Sequence, residues 1–486
     1  MKYKPLINIT PKKGWINDPN GFIYFNNKYH LYAQHNPHNV YWGPMHWLHF
    51  ESEDLIHFNE LGVSLFPDQE YDKELGCFSG SSIIKDGKLY ILYTAAMNNR
   101  QTQCLAISED GHTFIKYEKN PIIDENNLPI EFVISDFRDP KVFYRNNKYY
   151  VLVAAKKKDD TGSILLYESN DLFNYKFVSE VYNSKEIDAR MIECPDIVFL
   201  DEDNDDALLI FCAMHKKQEN YKYQNMFNVL YAIIEFDFID NKINFKTEVN
   251  ELDLGFDFYA TQTLTNDNRH YLVNWQNSWG RNFCCGGEGY NGQLGPIKEI
   301  KIKENRLHQS FVYKHTPDVY YDKIVIEKEK NLDNINGRNY LLSFEVNFEG
   351  EQIEIILQDN FNIRLSSLDN KVTVSRYNMD YEQKADLGEN TYEKSFPLKE
   401  NIKKTKFDIL VDNNSISILI NDGLYSFSSL NFNKKGEKII FNNFNSKMII
   451  KDLNSEEFWR KCGAGPYLCG LWGRQGEYDY RSVWLR

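Results

Sequence analysis

Little in the 486-residue sequence suits a nucleic acid, a membrane or a metal. The formal charge of -14 repels a phosphate backbone. The one basic run, Lys156-Lys157-Lys158, is followed at once by Asp159-Asp160 and reads as a solvated turn. No stretch approaches the roughly 20 apolar residues that span a bilayer. The opening MKYKPLINITPKKGW also lacks the apolar core of a secretion signal, so a cytoplasmic location is expected. The eight cysteines, including the adjacent pair Cys284-Cys285, show neither a regular framework nor paired C-x-x-C spacing. Reduced thiols are therefore expected rather than disulfides or zinc. Six of the 11 histidines (His30, His35, His38, His46, His49 and His57) crowd one short region, but their spacing matches no zinc motif. Packing or substrate contact is expected of them, and no metal or cofactor.

What is present favours strands. Aromatic residues make up 15% of the chain, and Tyr, Phe and Ile suit pleated, half-buried surfaces. At this length two domains are expected. A repeat organises the first part. DPNGFIYFNNKYHLYAQ from Asp18, GSSIIKDGKLYILYTA from Gly80 and DPKVFYRNNKYYVLVAA from Asp139 each read as strand, polar turn, strand. DIVFLDEDNDDALLIFCA from Asp196 and TQTLTNDNRHYLVNW from Thr261 continue the series. The starts are spaced by 62, 59, 57 and 65 residues, room for about four strands per unit. Asn-Asn and Asp-Gly at the turns are hairpin signals. Radially repeated four-stranded sheets form a β-propeller, so a five-bladed β-propeller is predicted over residues 1–305.

Beyond 305 the pattern changes to short alternating strands such as NYLLSFEVNF, EQIEIILQ and SISILINDGLYSFSSL. These predict a β-sandwich over 325–452, with 306–324 as a linker. The whole is thus read as all-β. The Gly- and Trp-rich segment 453–486 fits neither pattern; covering a sandwich edge is the role expected for it.

Three acids fall at equivalent points of the repeat. Asp18 opens the first unit, Asp139 opens the third, and Glu193 stands three residues before the opening of the fourth. Equivalent positions in a propeller lie at the same end of its central channel, so these carboxyls are expected to converge. Any one Asp-Pro is ordinary turn chemistry. As a set they sit beside unusual partners: Trp15 and Asn17, then Arg138, then Cys194 and Pro195. Converging carboxylates repel when ionised, which can yield one acid and one base in the same pocket.

The blocks WINDPNG (15–21), QHNPHNVYWGPMHW (34–47), FSGS (78–81), FRDP (137–140), ECPD (193–196) and DFYATQ (257–262) resemble the signature blocks of the invertase-like glycoside hydrolases, family 32. The resemblance implies hydrolysis of β-fructofuranosides with retention. Carried over by position, Asp18 is the nucleophile, Glu193 the acid/base, and Asp139 the holder of fructose hydroxyls and stabiliser of the transition state. Trp15, Trp42, Phe78, Tyr259 and Trp275 map to its pocket blocks, and Gln34, Ser79 and Arg138 would contact fructose hydroxyls.

Asn17 can donate to the sugar or to Asp18, and Arg138 is expected to favour ionised Asp139. Crowding and burial beside Cys194 are expected to raise the pKa of Glu193. A retaining glycosidase needs its two carboxyl groups about 5–5.5 Å apart. The chain departs from the family at Ala33 and His35, where aromatics are common, and at Thr261, where proline is common; these positions are expected at the pocket rim.

Within this reading sucrose, sucrose 6-phosphate and short fructans stay open as substrates, as does fructosyl transfer. A non-catalytic carbohydrate-binding propeller and an inverting arabinan-type glycosidase are the rivals from outside it. The sequence sets no oligomeric state.

Overall fold

A computed structural model describes residues 3–201, 204–215, 221–281, 283, 285–315, 320–331, 339–347, 350–385, 389–433 and 439–453. Five antiparallel sheets follow one another from Gly14 to Phe311, each with four principal strands laid down in sequence order. Their first strands are Gly14–Phe25, Gly76–Lys85, Phe132–Arg145, Ala189–Phe199 and Tyr259–Asn266. Each of these touches the first strand of the next sheet, and the fifth touches the first, so they form a closed inner ring.

The apolar residues follow the same circuit. Tyr32 and Trp47 of the first sheet pack with Ile91 and Tyr93 of the second. Leu92 and Leu105 pack with Val151 and Val153 of the third, and Leu152 and Leu166 with Leu209 and Phe211 of the fourth. Ile210 and Val229 meet Leu272 and Ile300 of the fifth, and Val273 returns to Ile16 and Leu31 of the first. A fully buried aliphatic or aromatic side chain contributes about 1.5–3 kcal/mol, so ring stability is spread over five seams.

Local sequence explains the strand breaks. Asn26-Asn27, Asp86-Gly87, Asn146-Asn147 and Asp267-Asn268 all have both φ values between 49° and 73°, the two-residue turn that matches strand twist. A second repeated signal joins the third strand of a sheet to its fourth. In Ser52-x-Asp54, Ser108-x-Asp110 and Ser169-x-Asp171 the Ser Oγ and Asp Oδ1 accept the following backbone N–H groups at 2.7–3.3 Å.

The ring is sealed at its chain start. Tyr290–Asn291 pairs in parallel with Gly14–Trp15, and Ile9 pairs with Leu294. Just upstream, the Asp412 carboxylate accepts the N–H groups of Leu6, Ile7 and Asn8 at 2.8–2.9 Å.

Arg306–Phe311, expected in the linker, is the fourth strand of the fifth sheet and pairs with Lys298–Lys303. The turn between them, Glu304-Asn305, takes φ values of 50° and 57°. Glutamate is a weak turn signal, so the hairpin did not stand out. Tyr320–Asn331 opens the second body five residues before the expected boundary.

That body is one continuous ten-stranded sheet. It doubles over a core that includes Leu342, Ile355, Ile363, Val374, Ile409, Ile418 and Phe427. Ile439–Asp452 passes through both halves, pairing with Gln352–Leu357 and then with Tyr340–Asn347. Apart from Leu453, the C-terminal segment lies outside the described residues.

Each inner strand carries an extra residue against its neighbour near its acid or at the matching point of the repeat, and the first, third and fourth have a further register shift elsewhere. The register steps from Ile16 to Pro19 against two partner residues, and from Phe78 to Gly80 against one. It steps from Arg138 to Lys141, from Glu193 to Asp196 and from Tyr259 to Gln262, each against two. These are β-bulges, which kink a strand and re-aim its side chains. Pro140 and Pro195 fall inside bulges, where a residue without an N–H costs the ladder nothing. Asp139, Cys194 and Ala260 take left-handed φ values of 63°, 47° and 46°. Such backbone persists only where its surroundings over-determine it.

Candidate active site

The residues left out of the ladders by the bulges are Asn17 and Asp18, Ser79, Asp139 and Pro140, Cys194 and Pro195, and Ala260 and Thr261. The side chains of Asn17, Asp18, Ser79, Asp139 and Cys194 among them meet at one end of the ring. Asp18 is held from several sides. Its Oδ1 accepts from Asn17 Nδ2 at 2.8 Å, and its Oδ2 accepts from Ser79 Oγ at 2.6 Å and Gln34 Nε2 at 3.1 Å. Gln34 also donates to Ser79 Oγ. Trp15 Nε1 donates to Asn17 Oδ1 at 2.7 Å, which turns the amide's NH2 towards Asp18.

Cys194 joins two of the acids. Its Sγ lies 3.7 Å from Asp18 Oδ2 and 3.6 Å from Asp139 Oδ2, and its backbone N–H donates to Asp139 Oδ2 at 2.9 Å. A hydrogen bond with Cys212, then burial, push the Cys194 thiol well above its usual value. It is therefore a weak S–H donor here and not a thiolate.

Glu193 completes the pit from the fourth sheet. Its Oε1 accepts from Arg138 Nη2 at 2.7 Å and Nε at 3.2 Å, and its Oε2 accepts from Tyr259 Oη at 2.5 Å. Burial, then the charge of Glu193, hold the Tyr259 phenol well above its usual value, so it remains a donor.

Arg138 favours ionised Asp139 through its charge, while its hydrogen bonds go elsewhere. Arg138 forms its close pair with Glu193 and reaches Asp136 at 3.3 Å and Gln101 at 3.2 Å. Neighbours in a strand point to opposite faces, and the bulge turns Asp139 towards Cys194 instead.

The carboxyls of Asp18 and Asp139 are both shifted upward. Burial raises Asp18, and the charge of Glu193 adds to it, against the hydrogen bonds from Ser79, Asn17 and Cys194. Burial pushes Asp139 up to about 7; Arg138 pulls it down, while Glu193 and Asp18 push it further up.

Because the folded value of Asp139 lies above its unfolded one, its contribution to stability is fully present below about pH 4 and is lost as pH rises through about 7. Asp139→Asn should therefore be more stable than the parent at pH 8, by a few kcal/mol at most. The gap should narrow as pH falls to 5. Urea unfolding at the two pH values checks this, and a gap that widens towards acid would refute it.

The aromatic residues divide into two groups. Trp15 and Trp275 are 1% and 0% exposed and lie within 6.1 Å of each other, ring centre to ring centre. Trp275 was expected to touch the sugar; it is instead buried, together with Trp15, against Trp279 and Phe283. Trp42, 41% exposed, meets Phe78 edge to face at 6.0 Å on an open loop. Tyr41 beside it is 62% exposed.

Sequence reading missed Trp279, Phe283 and Gln101. The first two were visible only as the Trp-x-x-x-Trp-x-x-x-Phe spacing of WQNSWGRNF.

The three departures from the family pattern are not at a rim. Ala33, His35 and Thr261 are all buried. The Nδ1 of His35 bonds the backbone carbonyl of Trp15 at 2.7 Å, so this residue supports the aromatic cluster from behind.

The sequence pattern of the glycosyl hydrolases family 32 N-terminal domain matches residues 8–311. A sucrose-6-phosphate hydrolase of Lactococcus lactis is 30% identical over 447 residues, 87% of this chain and 86% of that one. The structure of a sucrose-6-phosphate hydrolase from Lactobacillus gasseri superposes with a TM-score of 0.83 at 27% identity, covering 93% of this chain and 94% of that one. A Bombyx mori family-32 β-fructofuranosidase variant, solved in complex with sucrose, superposes with a TM-score of 0.80 at 27% identity, covering 93% of each chain. With the ring of bulges and the acids they present, these likenesses place the chain: it belongs to glycosyl hydrolase family 32.

Proposed function

We propose that this glycosyl hydrolase is a retaining β-fructofuranosidase, cleaving the terminal fructosyl linkage of sucrose 6-phosphate or sucrose. The observation that carries the reading is the meeting of Asp18, Asp139 and Glu193 through Cys194, Arg138 and Tyr259 at one end of the ring. Carboxyls from three distant stretches of chain gain nothing structurally from such proximity, since burial and mutual repulsion raise the cost of ionising them.

In the first step Asp18 attacks C2 of the fructosyl unit. The bond from C2 to the glycosidic oxygen breaks, and Glu193 gives that oxygen its proton. In the second step water attacks C2 while Glu193 takes the water's proton, and the bond to Asp18 breaks. Ser79, Gln34 and Asn17 keep the Asp18 oxygens aimed. Arg138 and Tyr259 fix the Glu193 carboxyl. Asp139 accepts from fructose hydroxyls; because those donors favour its ionised form, sugar affinity should weaken as pH falls below about 7. Phe78 and Trp42 offer ring faces to the sugar at the mouth.

The phosphorylated disaccharide is favoured as substrate by the names of the Lactococcus and Lactobacillus relatives. A cytoplasmic location accords with such a substrate and with the buried free thiols Cys77, Cys104, Cys194 and Cys212. Among the described residues no helix is long and apolar enough to cross a membrane.

Sucrose 6-phosphate, sucrose, kestose and inulin assayed side by side test the ranking, with the anomer of the first fructose followed by NMR. β-Fructose released first, and fastest from the phosphorylated disaccharide, is expected. α-Fructose released first, or a strong preference for long inulin, would overturn the reading.

A further inference from the structure

The segment Asp253–Tyr259 belongs to both bodies of the protein. At its start it is bonded to the outer strand Tyr425–Leu430 of the second body. The Asp253 carboxylate accepts from Ser426 Oγ at 2.6 Å and from Ser428 Oγ and N–H at 2.8 and 3.0 Å. Leu254 N–H donates to Ser426 O at 2.8 Å, and Phe256 N–H to Ser428 O at 2.9 Å. The approach is so close that a side chain at Gly255 would meet Ser428 O at 2.1 Å.

Asp257 is held through its Oδ2. Arg376 and Asp257, both fully buried, form a charge pair. The Asp257 carboxylate also accepts Leu430 N–H at 2.8 Å. Arg376 is itself pinned, donating to Leu430 O at 2.8 Å, Thr391 O at 2.7 Å and Ser429 Oγ at 3.2 Å, with its guanidinium 4.1 Å from the centre of the Phe256 ring. Two residues further on, Tyr259 reaches Glu193. The next residue, Ala260, holds the left-handed φ of the fifth bulge. A strained turn of this kind needs an anchor on each side. The pairing with Arg269–Trp275 supplies one on either side, at Tyr259 and from Gln262 onward; Arg376 adds a second upstream hold at Asp257, two residues before the tyrosine.

We propose that Arg376, from the second body, is a positioning residue for the reaction. By fixing Asp257 it aims the Tyr259 hydroxyl at Glu193. This rests on the reading of Glu193 as the acid/base. The rival explanation is a buried ion pair that merely joins two domains, and such pairs contribute little net stability and carry no catalytic consequence.

A double-mutant cycle on kcat at 25 °C, with KM recorded for each protein, separates the two. Arg376→Lys and Tyr259→Phe are each expected to lower kcat about tenfold, with KM changed less than about twofold. The double variant should be no slower than the slower single one, because both changes cut the same tether. Should Arg376→Lys not fold, Asp257→Asn takes its place in the cycle with the same expectation. Independent losses that multiply, or a lower melting temperature with kcat unchanged, would overturn the proposal. Glu193→Gln run alongside keeps the two readings apart. If it stays impaired while the cycle is additive, only the positioning role fails; if it is fully active, the acid/base assignment fails first.

Discussion

Asp18→Asn is expected to lower turnover by at least about 10⁴-fold, since the side chain that would form the covalent bond to C2 is replaced by one that cannot. The protein should stay folded. Burial makes the ionised carboxyl costly at this position, and the amide removes that cost while its oxygen still accepts from Asn17. Its NH2 can donate to Ser79, whose hydroxyl rotates, but it faces the Gln34 amide donor to donor. Partial cancellation of these terms predicts a melting temperature within a few degrees of the parent's. Steady-state rates and thermal melts on the same preparation check both halves. Retention of more than about 1% of kcat would remove Asp18 from its role.

Glu193→Gln is the second large effect. Loss of a general acid lowers rates by about 10²–10⁴-fold, and the loss should depend on the leaving group. Glucose 6-phosphate or glucose leaves as an alkoxide unless protonated, whereas a nitrophenol leaves readily as its anion. The variant should therefore recover most of its first-step rate on a nitrophenyl β-fructofuranoside. An equal deficit on both substrates would argue against proton donation by Glu193. Stability should fall more than in Asp18→Asn, because Arg138 loses its closest charge partner and keeps its hydrogen bonds to Asp136 and Gln101 and the charge of Asp139. Removing one member of a partly buried pair leaves the other undercompensated.

The ring of sheets was legible in the sequence because its turns are chemically specific. Asn26-Asn27, Asp86-Gly87 and Asn146-Asn147 mark hairpins at a constant spacing. The acids were legible for a related reason: a proline directly after Asp18, Asp139 and Cys194 marks places where the ladder is irregular.

What each acid touches was not legible. Alternation along a strand says which face a side chain takes, but one inserted residue reverses that face. The sequence does not show that five strands each contain such an insertion, so the close contact of Arg138 with Glu193 could not be foreseen. Trp275 was misplaced for another reason. Tryptophan suits both a sugar platform and a core, and only the packing of Trp279 and Phe283 around it decides. Arg376 was invisible because its partner lies 119 residues away in a different body.

The seal at the start of the ring has a consequence for how the protein is made. Residues 6–8 need Asp412, and residues 14–15 need 290–291. At a ribosomal pace of about 5–20 residues per second, the nascent chain waits roughly 20–80 s between exposing the first partner and releasing the last. The strand bearing Asp18 meets residues 290–291 after roughly 14–55 s of that interval, and until then its edge is open to pairing with other chains. Yield in the cell should accordingly depend on chaperone supply during synthesis more than on the stability of the finished molecule.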